Sequence, residues 1–114
     1  MSDCIFCKII AGEIPSKKCY EDDEIIAFHD IHPVAPVHFL VVPKKHINSL
    51  MELEEADTPL VGRMLFKAQE IAKEQGCAEK GGRFILNAKK DGGQTIDHLH
   101  VHFIGGKTLG FKMC

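Results

Sequence analysis

The chain has 114 residues and a formal net charge of −2, from 14 basic and 16 acidic side chains. That length predicts one domain, residues 1–114, with a modest core that buries roughly 65% of the unfolded surface. The near-neutral balance, without a basic run, argues against nucleic acid as a main partner, and no apolar stretch is long enough to span a bilayer.

The start, Met1-Ser2-Asp3-Cys4, lacks the basic and apolar regions of a secretory signal. Five cysteines, an odd count, then read as thiols or metal ligands in a cytoplasmic protein rather than as disulfides. Residues 3–11 predict a short helix, capped by Asp3 and stopped at Gly12. Residues 19–21 and 24–30 flank Asp22-Asp23 as a hairpin. Residues 31–36 carry two prolines and predict a rigid loop. Val37–Pro43 is β-branched and apolar, as a central strand requires. Residues 49–53 predict a helical turn.

A long helix follows. Asp57 or Thr58 caps it, Pro59 suits its first turn and Gly76 ends it. Val61, Met64, Leu65, Ala68, Ile71 and Ala72 repeat at helical spacing and form one apolar stripe. Leu60 and Phe66 lie off that stripe, as residues meeting a partner subunit would. Residues 83–87 and 98–104 predict two more strands, separated by a loop at 89–93. The sum is an α+β fold: about five mostly antiparallel strands with one long helix and a short N-terminal helix.

His98, His100 and His102 alternate with Leu99, Val101 and Phe103. On a strand the three imidazoles share one face and the apolar residues the other. The row has three readings: a polar outer face, metal ligation through His-x-His, or covalent catalysis at phosphorus. A neutral imidazole is a competent nucleophile, and its reference pKa near ~6.5 leaves it mostly unprotonated at neutral pH. A neighbour on the same face can protonate the leaving group. Gly92-Gly93-Gln94-Thr95 lies just before the row. Such a loop brings backbone N–H groups, an amide and a hydroxyl onto an anion, which favours the phosphorus reading. Asp30 ends a strand beside Phe28, His29 and Ile31. It is either a ribose-binding carboxylate between apolar walls or the start of the turn before Pro33. Asn87 is a sugar or phosphate donor, or a turn former. Cys4-x-x-Cys7 is either half of a metal site or a pair of ordinary thiols.

The row, with the glycine loop before it, resembles the signature of the histidine triad (HIT) family. Residues 4–14, 28–35, 36–47 and 84–87 fit in order and spacing, so the resemblance covers roughly residues 4–110. It is nearest to the Hint-like purine-nucleoside phosphoramidase branch. It implies the HIT-like fold and a homodimer, with the long helix and the 83–87 strand near the interface. By position, His100 matches the nucleophile that forms a nucleotidyl-histidine. His102 matches the residue on the phosphate and leaving-group side, and Asp30 the ribose carboxylate. Ile5, Phe6, Ile9, Phe28, His29 and Ile31 match the walls of the base pocket. Asn87, Gly93 and Thr95 match phosphate-side contacts, with Gln94 beside them in the loop. Some members bind structural zinc through two cysteines and two histidines, a set that falls here on Cys4, Cys7, His46 and His98. Cys19, Cys77 and Cys114 remain ordinary thiols, and His32 a solvated loop residue.

The chain departs from the branch at Asp97, where an aromatic residue is common, and in its tail, 107–114, which lacks tryptophan. The reading that results is a nucleotide hydrolase or transferase acting on AMP phosphoramidates, metal-free in its chemistry. Two others stay open: a nucleotide-binding regulatory module with incidental hydrolysis, and a zinc-dependent hydrolase.

Overall fold

The computed structural model describes residues 4–110. The short helix α1 runs Ile5–Ile10. Asp3, Cys114 and the end of the tail lie outside the described residues. At the helix start the Cys4 thiol accepts from the Cys7 N–H at 3.3 Å. Gly12, at φ +83°, turns the chain away from the helix. Strands β1 (Lys18–Glu21) and β2 (Ile25–His29) form the expected hairpin, and Asp22 closes it by accepting from the Glu24 and Ile25 N–H groups. Strand β3 is Val37–Pro43. A 3-10 turn at Leu50–Glu52 is capped by Ser49.

Helix α2 runs Thr58–Glu74, and Gly76 follows it at φ +89°. Asp57 holds the boundary position without making a cap bond. Its carboxylate accepts from the Glu54 N–H and from Lys45 instead. Strand β4 is Gly82–Ile85 and β5 is Val101–Gly105. Both are shorter than the periodicity suggests. The Leu99 N–H bonds Ile47 O at 2.7 Å and not a neighbouring strand, so His98 and His100 lead into β5 and only His102 lies within it.

The sheet is antiparallel throughout, in the order β1-β2-β3-β5-β4. Its two faces bury different residues. Ile25, Ala27, Phe39, Val41, Leu99, Val101 and Phe103 pack on Met64, Ala68, Ile71 and Ala72 of α2. Each large apolar side chain buried there contributes about 1.5–3 kcal/mol. Leu60 also packs on this core, whereas Leu65, on the expected stripe, is 40% exposed. Ile26, Phe28, Leu40 and Val42 point the other way and pack on Phe6 and Ile9 of α1. Leu40 pairs with His102 in the β3–β5 register, so the histidine row belongs to the α1 face. No helix among the described residues is long and apolar enough to cross a membrane.

Candidate active site

The alternation expected of the row survives although two of its histidines precede the strand. Leu99, Val101 and Phe103 enter the α2 core, and the three imidazoles line the opposite face. His98 and His100 are buried and His102 is half-buried.

Each ring's partners assign its tautomer, because a carbonyl can only accept and a backbone N–H can only donate. His98 donates from Nε2 to Pro43 O at 2.8 Å. His100 donates from Nδ1 to His98 O at 2.7 Å, which leaves the Nε2 lone pair free. His38, on β3, accepts from the Val34 N–H at Nδ1 over 3.2 Å. In its neutral form it therefore carries its proton on Nε2, which lies 3.1 Å from His102 Nδ1 and 3.4 Å from Asp30 Oδ2. Donation to His102 places that ring's own proton on Nε2.

Burial pushes the pKa of every ring in this chain of contacts down. His102 falls to about 4 through burial first and the neighbouring His100 and His38 second. His100 is lowered by burial, against its bond to His98. His38 is lowered by burial, with Asp30 opposing. Neutral rings at neutral pH leave one free nitrogen, on His100, next to one N–H donor, on His102. Their ring centroids are 4.8 Å apart. His38 lies outside the residue set expected from the sequence. Its signal was parity, since it shares a β3 face with Leu40 and Val42.

Cys4, Cys7, His46 and His98 bring their ligand atoms within 4.8 Å of one another. A tetrahedral zinc with ordinary bond lengths sets sulfur and nitrogen about 3.5 Å apart. Here Cys7 Sγ lies 3.1 Å from His46 Nδ1 and 3.7 Å from His98 Nδ1, and Cys4 Sγ lies 3.3 Å from His98 Nδ1. Both histidines donate from Nε2, His98 to Pro43 O and His46 to Asn48 Oδ1, so both Nδ1 lone pairs face the thiols. The four residues fit a metal ion. Asp30, His38 and His102 also cluster, but a neutral His38 whose Nδ1 accepts from Val34 presents an N–H there and not a lone pair.

The expected base-pocket residues divide. Phe6 and Phe28 meet edge to face at 5.6 Å, and Phe6 also touches His98 and His100, at 5.8 and 5.1 Å between centroids. Ile9 is buried beside them, while Ile5 and Ile31 are exposed. His29 ends β2 half-buried. Asp30 accepts from the His32 N–H at 2.7 Å, the turn alternative, and keeps its other oxygen toward His38. His32 is exposed, and Asn87 lies beyond the end of β4.

Gly93, Gln94, Thr95 and Asp97 line a cavity of about 530 Å³ with Asn48, Ser49, Glu52, Lys89 and Lys90. Gly92 has no room for a side chain, because a Cβ would lie 2.7 Å from Ala88 O and 2.8 Å from Ala88 N. Gly93 needs its φ of +76°. The Gln94 amide, expected at the anion, is used internally: it donates to Asn48 O and Ile96 O and accepts from the Lys89 N–H. The Gly93 and Gln94 N–H groups, also expected at the anion, bond inward to Lys90 O at 3.1 Å and Lys89 O at 3.0 Å, so the loop offers Thr95 to a ligand, with Gln94 as its internal brace.

A family model described as "Scavenger mRNA decapping enzyme C-term binding" matches residues 3–113. The purine nucleoside phosphoramidase of Escherichia coli K12 is 43% identical over 108 residues, 95% of this chain and 91% of that protein. A histidine triad protein from Clostridium difficile superposes with a TM-score of 0.95 at 49% identity, covering 99% of this chain and 98% of the other. A HIT family hydrolase from Legionella pneumophila Philadelphia 1 gives 0.93 at 41% identity, covering 95% and 96%. With a histidine row of this geometry and likeness along nearly its whole length, the chain belongs to the histidine triad (HIT) family, whose members just named include a hydrolase and a phosphoramidase.

Proposed function

We propose that this protein hydrolyses P–N or related bonds at the α-phosphate of purine nucleoside monophosphate derivatives, with AMP phosphoramidates as the substrate class. The observation that carries the reading is the His100 Nδ1–His98 O bond, which leaves a neutral ring with its Nε2 lone pair free. That nitrogen attacks phosphorus as the P–N bond to the amine breaks. The departing nitrogen is held by the His102 Nε2–H and takes its proton from solvent, so the amine leaves neutral and His102 keeps its own proton. Water then cleaves the nucleotidyl-histidine, releases AMP and restores His100. The Thr95 hydroxyl faces the phosphoryl oxygens, on a loop that Gly93 and Gln94 hold in shape by donating their N–H groups to Lys90 O and Lys89 O. Asp30 accepts from the ribose. Phe6, Ile9, Phe28 and Ile31, with Ile5 and His29, wall the base, and Asn87 contacts the phosphate side.

The four-ligand cluster holds zinc, which ties the N-terminal segment to the histidine row. Four protein ligands leave no open position for water, so no reaction step runs through the metal. The active form is a homodimer. Supporting this are Phe84 on the edge strand β4 and Phe66 on α2, 45% and 61% exposed. With Cys4 and Cys7 on the metal, the free thiols of Cys19 and Cys77 suit the reducing cytoplasm.

The test is single-turnover incubation of wild type and His100→Ala with an adenosine phosphoramidate of a fluorescent amine, at measured metal content. Release of amine and AMP by wild type alone is expected. No release by folded wild type overturns the enzyme reading in favour of a binding module. Activity that vanishes on metal removal from folded protein points to the zinc hydrolase.

A further inference from the structure

Both histidines of the metal-ligand group make a second connection, and each leads to the reacting groups. The main-chain oxygen of His98 holds the His100 Nδ1 proton at 2.7 Å. His46 donates from Nε2 to Asn48 Oδ1 at 2.8 Å, and Asn48 O accepts from Gln94 Nε2 at 2.7 Å. Gln94 in turn braces the glycine loop through Ile96 O and the Lys89 N–H. Asn48 thus stands between a metal ligand and the loop that faces the phosphate.

A merely local role for Asn48 does not account for this arrangement. The 3-10 turn that follows is already capped by Ser49, whose Oγ accepts from the Met51 N–H, so the Asn48 side chain is not needed there. Asn48 is exposed, and its cost-free alternative is to bond water. Its side chain is aimed at the nitrogen of His46 opposite the one facing Cys7. Such outer partners fix ring orientation and strengthen the ligand.

We propose that Asn48 is a positioning residue that couples the Cys4–Cys7–His46–His98 metal centre to the phosphate loop, so that metal and nucleotide tighten each other's binding. The proposal rests on the nucleotide reading given above. Metal fixes His46, His46 holds Asn48, and Asn48 holds Gln94 and with it the loop. By linkage the effect is reciprocal. An exposed hydrogen bond in the path puts its size at the low end of the usual range, about fivefold.

The experiment measures zinc affinity by competition with a chromophoric chelator, with and without saturating AMP, and AMP affinity by calorimetry with and without zinc. It uses the full chain as wild type, Asn48→Ala and Asn48→Asp. In wild type AMP tightens zinc about fivefold, and zinc tightens AMP by the same factor. In Asn48→Ala the factor falls to about one while AMP still binds. Asn48→Asp keeps an acceptor for His46 and retains the coupling. Wild type that binds both ligands independently overturns the proposal, as does undiminished coupling in folded Asn48→Ala. If Asn48→Ala does not fold, Asn48→Ser, whose hydroxyl is too short to reach His46, takes its place under the same criterion. Failure of zinc-loaded wild type to bind AMP overturns the nucleotide reading itself, and the coupling with it.

Discussion

His38 separates an orienting role from a purely structural one, because its two nitrogens do different work. Nδ1 accepts from the Val34 N–H, and Nε2 donates to His102 Nδ1. In His38→Asn the side-chain oxygen replaces Nδ1 and keeps the Val34 bond, but nothing reaches His102. In His38→Gln the amide replaces Nε2 and keeps a donor for His102, while the Val34 bond is lost. A neutral hydrogen bond is worth about 0.5–1.5 kcal/mol, which corresponds to a rate loss of about 2- to 12-fold when the His102 tautomer is no longer fixed. His38→Asn should therefore release amine about fivefold more slowly in single turnover, whereas His38→Gln stays within about twofold of wild type. Both variants melt lower, since the buried ring is lost. In a His102→Gln background, adding His38→Asn should cost less than about twofold, because the two residues act through one bond. A wild-type rate in His38→Asn, or equal losses in Asn and Gln variants, refutes the tautomer argument.

Gly92→Ala drives a Cβ onto the Ala88 backbone and should cost about 1–3 kcal/mol, with weakened AMP binding. Gly93→Ala meets open space and should cost only the positive-φ strain, about 1–2 kcal/mol. Melting curves and AMP calorimetry read both, and an unperturbed Gly92→Ala protein would count against the tight loop. Verified zinc removal should lower Tm by about 10 °C or more while the His100 nucleophile remains, and an unchanged melting curve sinks the structural-metal reading. His102 titrates near 6.5 when unfolded and at about 4 when folded. Between those values the unfolded chain binds the extra proton, so stability is intact above pH 6.5 and falls as pH drops toward 4. Discounted for the solvent that reaches the ring, the loss is roughly 1–2 kcal/mol. His102→Gln should reduce that slope in denaturant titrations from pH 7 to 4.5, leaving the share of the other buried rings, His98, His100 and His38, and an unchanged slope means the His102 ring is not a source of it.

The elements were legible where one physical demand dominated. Val37–Pro43 reads as a central strand because both faces are buried, and the helix over 58–74 reads from its stripe, its Pro59 and its Gly76. Legibility failed where the chain makes tertiary bonds that leave no periodic trace. The start of β5 moved from His98 to Val101 because Leu99 bonds Ile47, a residue 52 positions away. Leu60 looks like an interface residue on a helical wheel, but it packs on the core. His38 was hidden inside an apolar run, and only the β3–β5 register sets it beside His102. Gln94 carried the right chemistry for an anion, but its three bonds inside the loop were invisible to local pattern.

The two histidine clusters show why composition and spacing alone could not assign the row. Cys4–Cys7–His46–His98 and Asp30–His38–His102 both gather ligand-type atoms within 4.8 Å. What distinguishes them is the far side of each ring. Where the distal nitrogen faces an acceptor, as at His46 and His98, the near nitrogen offers a lone pair and suits a metal. Where the distal nitrogen faces a donor, as at His38, the near nitrogen offers a proton and suits an orienting bond. His100 uses the first logic without a metal: its distal nitrogen faces His98 O, so its lone pair is free, as the proposed attack on phosphorus requires. In the proposed function one residue type on one face fills three roles, ligand, nucleophile and donor, and hydrogen bonds to the backbone groups of Pro43, His98 and Val34 favour those assignments. Variants that move those backbone groups should therefore change chemistry without touching an imidazole.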